Sequence, residues 1–140
     1  MKRPRISLLL APLLFSGVVA APLFWVSNPT LAAADPVAQL LTEYRQLGAD
    51  EFSAARGQAL WSSQNAGRHC GSCHSGDPSN SGQHQKTRKP IKPLAPSANP
   101  KRLTQVKTIK KWLKRNCKWT LGRECTAQEK GDFLLWLSQQ

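Results

Sequence analysis

The chain is 140 residues long and carries 20 Lys and Arg against 8 Asp and Glu, a formal net charge of +12 at pH 7. That length holds one compact domain and excludes a multidomain assembly. Four cysteines stand against a single methionine, Met1, so the rest of the chain has no methionine sulfur to offer as a ligand.

The chain opens with Lys2, Arg3 and Arg5, followed by an apolar run over residues 6–26 and then "SNPTLAAADP". This is a charged n-region, an apolar h-region and a small-residue cleavage site, best placed between Ala34 and Asp35. The run is longer than the roughly 7–15 residues of a usual signal h-region and nearly long enough to span a bilayer. Residues 1–34 therefore read as a signal peptide or an N-terminal membrane anchor, and residues 35–140 as the domain it exports, with a charge of about +9. Export points to the periplasm and disfavours nucleic acid as a partner. No acidic residue lies between Asp77 and Glu124, although that interval holds thirteen Lys and Arg. It is either a solvated basic surface or a docking face for an acidic partner, protein or anionic membrane.

Asp35-Pro36 is a helix start, an N-cap followed by proline in the first turn. Val37, Leu40, Leu41, Tyr44 and Leu47 then recur at helical spacing until Gly48. A second helix is expected over about 53–63, with Phe52, Ala55, Ala59, Leu60 and Trp61 as its apolar residues. Gly57 falls in its middle, where glycine costs about 1 kcal/mol and signals a close helix contact. Residues 75–99 are rich in Gly, Ser and Pro and read as a long irregular loop, unusual in a small domain unless it wraps something. A third helix is expected over about 104–116 and a fourth from Thr126, where Thr126-Ala127-Gln128-Glu129 forms a capping box. No β pattern is visible.

Between the second helix and the loop lies "RHCGSCHSGD". Cys70-Gly71-Ser72-Cys73-His74 is the attachment signature of c-type haem: two thiols spaced to meet two vinyl groups, with His74 delivered as the proximal iron ligand. A zinc site would need a second ligand pair at matching spacing, which Cys117 and Cys125 do not provide. A thiol–disulfide exchange motif would need a βαβ context.

The opposite face of the iron has several candidates. Met1 belongs to the leader, and His69 sits too close to Cys70 to fold back across the ring. His84, lysines and polar side chains on a facing helix remain. In the third helix Val106, Ile109, Leu113 and Asn116 fall along one stripe, so Asn116 is either a C-terminal cap or an amide oxygen aimed at iron. A disulfide between Cys117 and Cys125 would close a short loop beside it.

Together "RG.ALW", "CGSCH", "IKPLAPSANPKRLT", "KWLKRNC" and "LGRECTAQEKGDFLLWL" resemble the SHP group of class I c-type cytochromes, oxygen-binding cytochromes with an asparagine haem ligand. The resemblance runs from about Pro36 to the C-terminus. It implies an all-α class I cytochrome c fold, three to four helices and a long loop around one covalently bound haem c, with the first and last helices crossing. It places the distal ligand at Asn116, with His84 as the alternative, and the disulfide at Cys117–Cys125. It also implies that the Pro93 carbonyl accepts the His74 N–H. Two departures, Thr87-Arg88-Lys89 and Lys110, make the surface more basic than in relatives.

A neutral amide oxygen suits Fe(III) better than Fe(II), so reduction should loosen Asn116 and open a coordination site. The expected function is one-electron transfer with another redox protein, an acidic cytochrome, combined with binding of dioxygen or nitric oxide at the freed site. The alternatives are a dedicated gas-binding protein or a terminal reductase. No acid–base group is convincingly placed on the distal side, which weighs against an enzyme.

Overall fold

The computed structural model of the protein describes residues 34–140; the expected leader, all but its last position, lies outside the described residues. Asp35 starts α1 (Pro36–Gln46), its carboxylate accepting the Val37 N–H at 3.0 Å. Ser53 caps α2 (Ala54–Ser62) by accepting the Arg56 N–H at 3.3 Å. A single turn, α3 (Gly71–His74), carries the cysteine motif. Next come β1 (Gly82–Gln83) and β2 (Pro90–Ile91), then α4 (Val106–Leu121) and α5 (Ala127–Ser138). The capping box forms at α5: Thr126 Oγ1 accepts the Glu129 N–H at 3.1 Å, and the Glu129 carboxylate accepts the Thr126 N–H at 2.8 Å. Among the described residues no helix is long and apolar enough to cross a membrane.

Three expectations need correction. The 75–99 segment contains an antiparallel pair, Gly82 opposite Ile91 and Gln83 opposite Pro90. Two residues per strand leave no alternation to read. The second helix turns Gly57 and Trp61 inward and leaves Ala55 and Ala59 exposed. The third helix runs five residues beyond Asn116 and stops at Gly122, which takes the left-handed conformation (φ 72°) of a helix C-terminus.

The core has two adjoining parts. Val37, Leu40 and Tyr44 of α1 meet Phe52, which precedes α2, with Ile109 and Leu113 of α4 and Leu134 of α5. Leu40 and Leu134 are fully enclosed, each contributing about 1.5–3 kcal/mol of burial. The second part is aromatic: Trp61 of α2 against Trp136 and Leu137 of α5, with Phe133, Leu94 and Cys70 at its margin.

Gly57 sets the crossing of α2 over α5. A Cβ there would lie 2.7 Å from the Asp132 carbonyl carbon and 2.8 Å from Trp136 Cβ, so only glycine lets the helices meet. Gly57 thus brings α2 and α5 close together, and α1 packs on α5 as well.

Asp132 locks the same contact. Its buried carboxylate accepts the Ser53 N–H at 2.7 Å, Arg56 Nε at 2.7 Å and Gln128 Nε2 at 3.0 Å. Burial alone would raise its pKa, but the bonds from Arg56, the Ser53 N–H and Gln128 carry it below the ordinary value. A depressed carboxylate contributes stability above its unfolded pKa, about 3.9, and loses it as pH falls through the folded value. The melting temperature should thus fall on acidification below about pH 4, and Asp132→Asn should flatten that limb. Circular dichroism melts across pH test this; equal slopes in the two proteins would refute it.

Candidate haem site

The haem motif occupies one tight turn. The His74 N–H reaches back to the Cys70 carbonyl at 3.1 Å and the Cys73 N–H to the same oxygen at 3.3 Å. Cys70 and Cys73, three residues apart, are thereby brought to one side of the turn, and both are free thiols. Burial raises the Cys70 thiol, which also meets the Thr120 hydroxyl of α4. His69 is held on the outside, its Nδ1 2.8 Å from Ser72 Oγ and 3.1 Å from Gln64 Nε2.

Behind His74 stands the aromatic part of the core. Trp61 lies 6.0 Å from the His74 ring, 5.3 Å from Trp136 and 6.2 Å from Phe133, between centroids. Trp61 Nε1 donates to the Gly76 carbonyl at 3.2 Å, pinning the chain as it leaves the motif. On the other side β1 closes against α3: a Cβ on Gly82 would sit 2.8 Å from His74 Cα. Ser75, the residue after His74, takes φ 72° and ψ 161°, a region that side chains other than glycine's rarely adopt.

Burial, aided by the positive charge of Arg102, pushes the His74 imidazole down to about 4. The ring is therefore unprotonated near neutrality and ready to donate to a metal. Its Nδ1 is buried without a hydrogen-bond partner. The expected partner, the Pro93 carbonyl, instead accepts Arg102 Nε at 2.8 Å and Asn99 Nδ2 at 3.1 Å. A carbonyl oxygen has two lone pairs, and these two donors take both.

The distal candidates lie in different settings. Asn116 is a half-buried, helix-interior residue of α4, in the row Ile109, Leu113, Asn116, Thr120. It caps nothing, since the helix continues to Leu121. Its backbone carbonyl accepts the Thr120 hydroxyl at 2.5 Å. Thr120 in turn touches Cys70, so Asn116 stands one turn away from a side chain in contact with the haem motif. The segment before the motif is tied to the same end of α4. Asn65 Nδ2 donates to the Thr120 carbonyl at 2.9 Å and Arg68 Nη1 to the Trp119 carbonyl at 3.1 Å. These are helix-end carbonyls that would otherwise lack partners. Cys117 and Cys125 form a disulfide, Cα to Cα 5.5 Å, fastening α4 to the start of α5.

His84, the alternative, follows β1. Its Nδ1 accepts the Lys86 and Thr87 N–H groups at 3.3 and 3.2 Å, so the ring shapes its own turn. Trp61, Arg102 and Thr120 are the residues that sequence reasoning left without a role at the site. Their parts depend on contacts with chain segments far from them in sequence.

The residues present fit a covalently held haem: two free thiols on one side of a turn, an unprotonated imidazole beside them, and aromatic walls. His74 Nδ1 is buried without a hydrogen-bond partner, so no other side chain ties up the ring. Among the described residues no three His, Cys, Asp or Glu side chains are grouped to hold a bare metal ion, which leaves the zinc alternative without a ligand set.

Known proteins bear on the same residues. The family described as a domain of unknown function, DUF1924, matches residues 47–137. Cytochrome c-type protein SHP of Cereibacter sphaeroides is 42% identical over 120 residues, covering 82% of this chain and 92% of that protein. A solved structure of oxidised SHP, described as an oxygen-binding cytochrome c, superposes with a TM-score of 0.69 at 43% identity, covering 74% of this chain and 96% of the other. Oxidised cytochrome c'' from Methylophilus methylotrophus gives a TM-score of 0.64 at 26% identity, covering 75% and 94%. A solution structure of that protein is presented for the structural basis of haem-ligand detachment. From the five described helices, the haem turn and these likenesses, the chain belongs to the DUF1924 family and to the SHP-type c-type cytochromes, with an all-α cytochrome fold and one haem.

Proposed function

We propose that the protein is an exported, periplasmic one-electron carrier whose distal ligand, Asn116, detaches on reduction and frees the iron for a diatomic gas. Haem, when bound, would supply a one-electron couple and a place for dioxygen or nitric oxide. The chain supplies the rest. Cys70 and Cys73 anchor the group, and His74, kept unprotonated by burial, holds the proximal side.

The observation that carries the proposal is the setting of Asn116. It is a polar side chain within the apolar row of α4, one turn from the Thr120–Cys70 contact. No methionine exists beyond Met1 to replace it. Asparagine in a helix interior is a poorer helix former than alanine by about 0.6 kcal/mol, a cost that a role in capping does not explain here. An amide oxygen is a hard, weak donor that favours the ferric state. Oxygen binding in SHP and haem-ligand detachment in cytochrome c'' support extending both properties to this chain. The motif chemistry and the basic, apolar leader support export.

The ferrous protein should show a five-coordinate, high-spin spectrum that shifts on adding carbon monoxide. A six-coordinate, low-spin ferrous spectrum indifferent to the gas would reject the labile ligand and favour His84.

A further inference from the structure

The cations of α4 fall into two sets. Lys110 pairs with Glu43 at 2.6 Å, and Lys114 and Lys118 pair with Glu124 at 3.5 and 3.2 Å. Lys107, Lys111 and Arg115 have no carboxylate partner among the described residues, and all three are exposed. Spaced four apart, they form one row on the helix surface. Like charges at that spacing destabilise a helix by a few tenths of a kcal/mol per pair, so the row is kept at a cost to the fold.

Trp112 borders this row. It is 45% exposed, and Leu47 is the other large exposed apolar side chain among the described residues. The Arg115 guanidinium lies 5.1 Å from the Trp112 ring centroid and the Lys111 ammonium 5.9 Å. The indole is thus held between cations, and it precedes Asn116 by one helical turn on the same side of α4.

We infer that this row, Lys107, Lys111 and Arg115 around Trp112, is the docking surface for an acidic face of a partner protein. The inference rests on the electron-carrier reading and places the partner beside the Asn116 edge of α4. An unpaired cation row calls for an opposing acidic patch, and a fixed tryptophan flanked by arginine is the usual anchor at the centre of a protein interface. An anionic bilayer is a poorer match. A helix lying in lipid needs a whole apolar face, and the apolar face of α4 is already spent on Ile109 and Leu113 in the core.

The test uses the haem-loaded protein and an acidic flavodoxin as the probe, with binding measured by calorimetry and amide chemical shifts. Binding should weaken as salt rises, and shifts should cluster on residues 107–116. Lys111→Glu with Arg115→Glu should weaken binding about tenfold or more, whereas Lys86→Glu with Arg88→Glu, the same change of charge on the β1–β2 turn, should weaken it less than about threefold. Trp112→Ala, which changes no charge, should also weaken binding. Equal losses in both charge pairs, no flavodoxin binding, or capture of phosphatidylglycerol vesicles through the same residues would overturn the assignment. Reduction of the haem by the flavodoxin hydroquinone, followed in the visible spectrum, reads electron transfer separately from binding, so failure here and failure of the electron-carrier reading are told apart.

Discussion

Replacing Asn116 by methionine is expected to raise the reduction potential by on the order of 100 mV and to abolish carbon monoxide binding by the ferrous protein. Axial ligands move haem potentials over roughly 0.8 V, and thioether sulfur favours the reduced state where an amide oxygen favours the oxidised one. The substitution is clean. Asn116 lies inside α4, where its side chain caps nothing, and methionine is an unbranched residue that helices accept readily. A potentiometric titration and a carbon monoxide difference spectrum read the two effects independently. His84→Ala serves as the companion variant and should leave both unaltered, because that ring is engaged with the N–H groups of Lys86 and Thr87. If Asn116→Met alters neither quantity, Asn116 is not the ligand. If His84→Ala alters both, an imidazole holds the distal side.

The second large effect is structural. Gly57→Ala should destabilise the protein by about 2 kcal/mol, even though alanine is the better helix former by nearly 1 kcal/mol. The new methyl would meet the Asp132 backbone and Trp136 Cβ, none of which is the free end of a flexible side chain. In a domain of this size the melting temperature should fall by about 10 °C. Displacing Trp136 also disturbs Trp61, whose ring stands against His74. A shifted haem band before melting is therefore expected. Gly76→Ala, where a Cβ would meet nothing within 4 Å, should stay within about 0.5 kcal/mol of the parent. Equal stability of the two variants would mean that α2 and α5 do not depend on that close approach.

Much of this was legible in the chain itself, because its signals are local. Asp35-Pro36, Ser53 and the Thr126–Glu129 box each mark a helix start through side chains within three residues of the backbone groups they satisfy. The haem turn is equally local, with Cys70, Cys73 and His74 on adjacent positions of one coil. Gly57 announced a close contact because glycine in a helix interior has no other merit. The end of α4 was misjudged for the opposite reason. The expected helix ends at Asn116, whether that residue is read as a cap or as a ligand, whereas the helix is carried past it by Asn65 and Arg68, about fifty residues upstream, which take up its final carbonyls. Nothing in the sequence around Pro93 reveals that Arg102 claims its oxygen. Lys110, counted from sequence as extra basic surface, is offset by Glu43 across the α1–α4 contact. Charge pairing of that kind belongs to the tertiary structure.

The contact of Gly82 with the haem turn has a consequence for biogenesis. Cys73 is 8% exposed, and Gly82 packs against its backbone carbonyl and against His74 Cα. A haem joined to Cys73 would therefore have to be attached before this turn packs down, and a chain that folded first would stay colourless.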